Sequence, residues 1–195
     1  MTCPQRGFLA VSLGVALAAC AQLEPRQPTA DAPLVQVRGD SLPRFVTFVG
    51  PKAQHAPPFL GIPETNFYCL RSFVDRRTGE TAHQLYVSDS YIGSERGWNA
   101  AQVGAGAPLP FVPIGRDEIS CDAGCSYVEE FAANLPESTL RASPDGLTVT
   151  FMSRSGDKKT IVVPGERISA QLAAVDARRT LAQPAAVGAQ PVAAE

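Results

Sequence analysis

The chain has 195 residues, of which 45% are hydrophobic, 18% are charged and only 7% are aromatic. It carries 17 basic and 19 acidic residues, which gives a formal net charge of −2. This mild acidity argues against a nucleic-acid partner, and it provides no electrostatic attraction to anionic lipid.

The first residues predict a secretory signal. One positive charge lies in Met1–Arg6, an apolar run GFLAVSLGVAL fills residues 7–17, and two alanines precede Cys20. A membrane-spanning helix needs about 20 apolar residues, so this run is too short to span. We therefore predict that residues 1–19 are a signal peptide. No later apolar run is long enough to span either.

The sequence Leu17-Ala18-Ala19-Cys20 resembles the lipobox of bacterial lipoproteins. The resemblance implies that Cys20 carries the lipid and becomes the new N-terminus, so that membrane lipid holds the chain without a spanning segment. The next residue, Ala21, is not aspartate, which implies an outer-membrane destination facing the periplasm. An ordinary secretory signal with a chance cysteine is the alternative.

The mature chain divides into three parts by composition. Residues 20–33 comprise the acylated cysteine and a proline-containing tether, and residues 183–195 have the same alanine- and proline-rich character and are predicted to be a disordered tail. Residues 34–182 are predicted to form a single β-rich domain, since about 150 residues is the usual size of one domain.

Most of this domain has a period of two. Short runs rich in β-branched and aromatic residues predict strands at 34–38, 44–49, 67–74, 82–92, 147–152 and 160–163, with weaker candidates at 111–114 and 126–132. Polar, glycine-containing turns at 75–80 and 153–159 join neighbouring runs and predict two hairpins.

Two segments predict helices. The shorter covers residues 136–142, and the longer covers residues 164–181, where Ile168, Leu172 and Val175 recur at helical spacing. The predicted fold class is therefore mainly β, an antiparallel sandwich or half-open barrel with one C-terminal amphipathic helix.

Scattered residues of the second half resemble a group of uncharacterised proteobacterial lipoproteins. The shared features are strand tyrosines, a tryptophan, an arginine before a closely spaced cysteine pair, a following glutamate, and a late strand that runs into a proline-started helix. In this chain they are Tyr86, Tyr91, Trp98, Arg116, Cys121, Cys125, Glu129 and Val162-Val163-Pro164. The resemblance implies an envelope location and a β-rich fold, and it brings no activity.

Three cysteines remain beside Cys20 in the mature chain, namely Cys69, Cys121 and Cys125. An oxidising compartment favours one disulfide and one unpaired thiol. The turn formers at 122–124 favour a Cys121–Cys125 bridge, which in the chain-entropy model stabilises by about 2 kcal/mol. There are two alternatives: Cys69 pairs with Cys121 or Cys125, or no disulfide forms.

Catalytic and metal sites have little support. Acidic neighbours of the cysteine pair disfavour a reactive thiolate, and a zinc site would require Cys69 and His83 to converge with that pair. A Ser-His-Asp arrangement of His83 with Ser88 and Asp89 is also disfavoured, because neighbouring strand residues need not converge.

Glu129 and Glu130 are expected on opposite faces of a strand, with one of them partly buried and paired with Arg116. The aromatic residues Tyr86, Tyr91, Trp98 and Tyr127 are expected mainly in the core, although they could line a binding face.

The site residues predicted from the sequence are therefore Cys20 for lipidation and Cys121 with Cys125 for the disulfide. No catalytic, cofactor-binding or metal-binding residue is predicted. The sequence favours an envelope lipoprotein with a non-enzymatic binding or structural domain, whose partner is an envelope protein or the cell wall. The alternative is an envelope enzyme or metal-binding module whose site forms only in three dimensions.

Overall fold

The structure is a computed structural model that describes residues 35–38, 44–104, 106–121 and 124–182. The predicted signal peptide, the lipidation site Cys20, the tether and the C-terminal tail lie outside the described residues.

The described chain contains eleven strands, two helices and a short 3-10 turn at Phe59–Gly61. The strands are β1 (Gln36–Arg38), β2 (Phe45–Val49), β3 (Ala53–Gln54), β4 (Phe67–Asp75), β5 (Thr81–Ile92), β6 (Trp98–Val103), β7 (Ala107–Leu109), β8 (Phe111–Ser120), β9 (Ser126–Leu135), β10 (Gly146–Ser153) and β11 (Lys158–Pro164). The helices are α1 (Glu137–Arg141) and α2 (Gly165–Ala182).

These strands form two antiparallel sheets. Sheet A has the order β1-β2-β4-β5-β9-β8, with β3 paired to β4 beside this path. Sheet B has the order β11-β10-β6-β7. The fold is therefore mainly β and antiparallel as predicted, and because the sheets are separate it is a sandwich rather than a half-open barrel.

One face of sheet A, the inner face, is covered by two different layers. Sheet B covers β5, β9 and β8, where Val87 and Phe131 pack with Val149 and Phe151 of β10. Helix α2 covers β2 and β4, and its buried Val175 packs with apolar residues of these strands. The opposite face of sheet A, the open face, lies away from both layers.

The predicted helices are confirmed. Ile168, Leu172 and Val175 are all buried, as their spacing indicated. None of the helices within the described ranges combines the length and the apolar character needed to cross a membrane.

The sequence pattern missed some strands. β3, β6 and β7 were not predicted, and β8 and β9 extend further than their apolar cores. β6 (WNAAQV) lacks β-branched residues except at its end, so it has little intrinsic signal. In β8 the pairing with β9 shifts register near Pro113 and near Ile119, and such irregularities obscure the alternation.

Gly165 allows the first turn of α2 to lie against the turn between α1 and β10. A Cβ atom at this position would overlap the carbonyl oxygen of Pro144, a backbone atom that cannot shift as a flexible side chain could. We expect Gly165→Ala to lower the free energy of unfolding by about 2–4 kcal/mol in urea denaturation, as overpacking at a backbone contact does.

Gly115→Ala is the matched control. Its nearest neighbour would be the flexible Glu130 side chain at 3.7 Å, so we expect a change of less than about 1 kcal/mol. Equal stability of Gly165→Ala and the native chain would contradict this close contact.

Candidate functional site

Cys121 and Cys125 form a disulfide between β8 and β9, as predicted. Gly124 adopts φ of +109°, a conformation that L side chains rarely adopt, so the glycine permits the turn. The N–H of Gly93 donates to the carbonyl of Cys125 at 2.9 Å, which ties this turn to the end of β5. Because the two sulfurs are bonded to each other, the pair is a covalent staple.

Cys69 is a buried free cysteine. It pairs in register with Tyr86, whereas His83 pairs with Ser72, so Cys69 and His83 point to opposite faces of sheet A. The convergence that a zinc site would require is therefore not present. Burial raises the pKa of the Cys69 thiol, so this thiol is protonated and a poor nucleophile.

His83 instead belongs to a buried polar chain on the inner face, which we call the histidine chain. Its Nδ1 lies 2.8 Å from Ser72 Oγ, and its Nε2 lies 3.4 Å from Glu137 Oε2. Gln171 Nε2 donates to the same Ser72 oxygen at 2.8 Å and to the carbonyl of Phe48 at 3.1 Å. The partners Ser88 and Asp89 considered from the sequence are not the ones that His83 contacts.

Ser72, His83 and Glu137 are linked in the order serine, histidine and carboxylate, as in a hydrolase triad. The environment of these residues, however, differs from that of a catalytic triad. Ser72 has 0% of its surface exposed, so no substrate carbonyl can reach its hydroxyl. Glu137 is engaged by Arg179 and Arg141, and hydrogen bonds from these arginines hold its pKa well below the usual range. The histidine chain therefore joins β2, β4 and β5 to the two helices.

A second buried cluster, the corner pair, consists of Asp89 on β5 and Glu129 on β9. The two residues are direct cross-strand partners on the inner face and are only 2% and 5% exposed. Cross-strand neighbours lie close enough for their charges to repel, so each carboxylate requires its own partners.

Asp89 is neutralised by two cations. Arg96 Nη1 lies 2.8 Å from Oδ2 and Lys159 Nζ lies 3.0 Å from Oδ1. The indole Nε1 of Trp98 also donates to Oδ2 at 3.0 Å. Lys159 belongs to β11, so this carboxylate joins sheet A to sheet B.

Glu129 is satisfied by hydrogen bonds rather than by a cation. The backbone N–H groups of Gly97 and Trp98 donate to its two oxygens at 3.0 and 3.1 Å, and the hydroxyl of Tyr91 donates to Oε1. The predicted ion pair between a partly buried glutamate and Arg116 is wrong, because Arg116 pairs with Glu95 in the loop between β5 and β6. The opposite orientation of Glu130 is confirmed, since Glu130 accepts from Tyr86 on the open face.

The corner pair holds the segment by which the chain leaves sheet A and enters sheet B. Residues 93–97 make this crossing, and their carbonyls accept from the β10–β11 turn, where Arg154 N donates to Gly97 O at 3.0 Å. Since every oxygen of the pair has a donor, the carboxylates fix the corner of the sandwich and are not free for acid–base chemistry.

His55 contacts β5 at the end of its pairing with β4, where Phe67 lies opposite Ser88. Its Nε2–H donates to the carbonyl of Ser88 at 2.9 Å, and the neighbouring Asn66 side chain accepts from Ser90 N at 2.7 Å. His55 Nδ1 therefore accepts, and Lys159 Nζ lies 3.2 Å from it. Burial lowers the pKa of His55, and the Lys159 ammonium lowers it further.

The open face contains a concavity of about 590 Å³. Its floor is formed by Phe67, Cys69 and Tyr86, which form a small buried cluster. The guanidinium of Arg71 lies 3.4 Å from the centroid of the Tyr86 ring, and Lys52 Nζ lies 4.2 Å from that of Phe67. The floor is thus aromatic and is covered by cations.

Acidic groups complete this surface. The Tyr86 hydroxyl donates to Glu130 Oε1 at 2.5 Å, and Lys52 pairs with Glu64 at 2.8 Å. The cations and carboxylates above this aromatic floor can pair and hydrogen-bond with a polar polymer, either a polypeptide or a glycan.

The aromatic residues expected mainly in the core are largely buried. Tyr86, Tyr91 and Trp98 are each less than 9% exposed, whereas Tyr127 is half-buried. Sequence reasoning missed the corner pair as a unit, and it missed Arg71 and Lys52 as cations on aromatic rings. The alternation of side chains along β4 already placed Cys69 and Arg71 on one face. No local pattern indicated which residues of β5 lie opposite them.

Comparison of the chain with protein-family models, with curated proteins and with solved structures found no match. Its function is therefore argued from the geometry of its surfaces and from its N-terminal sequence.

We expect Glu129→Gln to destabilise the sandwich. An amide supplies one acceptor where two oxygens now accept backbone N–H groups, so either orientation faces an N–H with an NH₂ group. A buried donor without a partner costs about 1–3 kcal/mol, and urea denaturation should show a loss of this size.

Glu130→Gln, on the next residue and the opposite face, is the control. Its amide oxygen can still accept from Tyr86, so we expect a loss below about 1 kcal/mol. Equal losses in the two variants would show that the buried acceptors at the corner are not important.

Stability should fall as the pH drops below 6.5. Burial lowers the pKa of both His55 and His83 from the value of 6.5 in the unfolded chain. The unfolded state therefore binds more protons than the folded state just below this pH, and the free energy of unfolding decreases with acidification.

The double variant His55→Gln/His83→Gln isolates this effect. It should show a nearly flat pH dependence of unfolding between pH 6.5 and about 5.5, while the loss of stability at lower pH that arises from carboxylates with lowered pKa values, such as Glu137 and Asp75, remains. An unchanged slope in the double variant would show that the histidines are not the titrating groups.

Proposed function

We propose that this chain is a lipid-anchored protein of the bacterial envelope whose β-sandwich binds a partner, an envelope protein or the cell wall, through its open face. Membrane lipid attached to Cys20 anchors the chain, and the domain has a binding or structural role. The observation that carries this proposal is the open face, with its aromatic floor, its cations and its carboxylates.

Two features support the location. The apolar run followed by Leu17-Ala18-Ala19-Cys20 has the form of a lipoprotein signal, and acylation on one cysteine is sufficient for stable anchoring when several chains are attached. The Cys121–Cys125 disulfide is typical of proteins that mature in an oxidising compartment such as the periplasm.

The interior polar groups support a non-enzymatic role. The histidine chain and the corner pair contain the serine, histidine and paired carboxylates that a catalytic site would use, and in both clusters these groups are engaged by hydrogen bonds or ion pairs within the fold. What the domain presents to solvent on sheet A is a surface for recognition.

The anchor is tested by fractionating cells that express Cys20→Ala. We expect this variant to leave the membrane fraction, because it has no thiol to acylate. Cys3→Ala removes a cysteine from within the predicted signal and should fractionate like the native chain. Retention of Cys20→Ala in membranes washed with high salt would contradict lipidation.

The partner is tested with a charge reversal on the open face. Arg38→Glu/Lys52→Glu changes two exposed lining residues, and Arg154→Glu/Lys158→Glu makes the same charge change on the β10–β11 turn. Chemical crosslinking in envelopes reports a protein partner, and sedimentation with purified peptidoglycan reports the cell wall. We expect at least a tenfold loss in one assay for the first variant alone. No partner in either assay, or equal losses in both variants, would contradict the proposal.

A further inference from the structure

Four arginines converge on a second concavity, which we call the arginine groove. Arg76 and Arg77 come from the turn after β4, and Arg178 and Arg179 come from the last turns of α2. The groove has a volume of about 390 Å³, and Val46 and Val74 form an apolar part of its lining. Guanidinium groups from two separate elements thus border one site.

The carboxylate in this lining is already neutralised. Asp75 is 2% exposed, and its Oδ2 accepts from Arg44 Nε at 2.6 Å. Its Oδ1 accepts from the backbone N–H of Arg77 at 2.8 Å, and this bond is the main reason that the pKa of Asp75 lies below its usual value. Asp75 therefore organises the turn, and its own charge is paired with Arg44.

The arginines of the groove are not all equally engaged. Arg179 donates to Glu137 at 2.8 and 3.0 Å, so its charge is partly offset. The side chains of Arg77 and Arg178 are exposed and have no acidic partner within the described residues. These two side chains, one from each element, are available for an anion.

The backbone does not contribute donors at this site. The N–H groups of Arg77 and Thr78 donate to Asp75 Oδ1, and that of Gly79 donates to the Asp75 carbonyl. An anion would therefore be held by guanidinium forks, which match the several oxygens of a phosphate group. The valines beside them suit the carbon of a phosphate ester.

We propose that the arginine groove binds phosphate, either as a soluble phosphate ester or as the headgroup of a phospholipid. The net charge of −2 does not oppose this, because binding depends on the local field of the exposed Arg77 and Arg178. The inference depends neither on the lipid at Cys20 nor on the open face.

The first test is a titration of the full chain, labelled with ¹⁵N-arginine, with inorganic phosphate. We expect saturable shifts of a subset of arginine Nε–H resonances, which sodium chloride at the same ionic strength does not produce. Arg77→Gln/Arg178→Gln should weaken binding at least tenfold. Both residues are exposed, so the fold should tolerate the change.

Arg154→Gln/Lys158→Gln is the matched control, since it removes two exposed positive charges outside the groove. It should change the affinity for phosphate less than twofold. Equal weakening in both double variants would show a general charge effect and would overturn the site.

The second test identifies the source of the phosphate. The full chain carrying Cys20→Ala, which excludes the anchor, is mixed with glycerol phosphate and with phosphatidylcholine vesicles that contain or lack phosphatidylglycerol. Sedimentation that requires phosphatidylglycerol and both groove arginines assigns a lipid headgroup. Saturable shifts with glycerol phosphate and no vesicle binding assign a soluble ester. No response to any probe overturns the proposal, whatever the result at Cys20.

Discussion

Two carboxylates buried side by side are the constraint on which the sandwich depends. Asp89 and Glu129 are buried on the inner face, where an unpartnered charge would cost several kcal/mol. Their partners are the backbone N–H groups of Gly97 and Trp98 and the cations Arg96 and Lys159, which belong to the crossing between the sheets and to β11. Satisfying these charges therefore joins sheet B to sheet A at this corner.

Much of the architecture could be predicted, because strands with clear alternation reveal their faces. β10 and β11 alternate buried and exposed residues as the pattern LTVTFM indicated, and the helical spacing of Ile168, Leu172 and Val175 located the face of α2 that is buried. The disulfide followed from local turn formers. What could not be predicted depends on register between distant strands: that Ser72 lies beside His83, that Glu129 lies beside Asp89, and that Arg116 pairs with Glu95 instead.

The polar groups inside the fold differ in role from those on its surface. The residues that look catalytic in the sequence, a histidine with serines and adjacent acids, are used inside the fold to join its layers. The open face and the arginine groove share β2 and β4 but no lining residue, so one molecule has room for a polymer at the first and a phosphate group at the second.

The claim that the open face meets the partner is tested most directly by site-specific photo-crosslinking in living cells. A photoreactive residue in place of Thr47 would lie in the lining of the open face, and one in place of Thr148 would lie on the exposed side of sheet B. The account predicts a discrete adduct with an envelope protein or with peptidoglycan from the Thr47 position and none from the Thr148 position. Adducts from Thr148 alone, or from neither position, would contradict it.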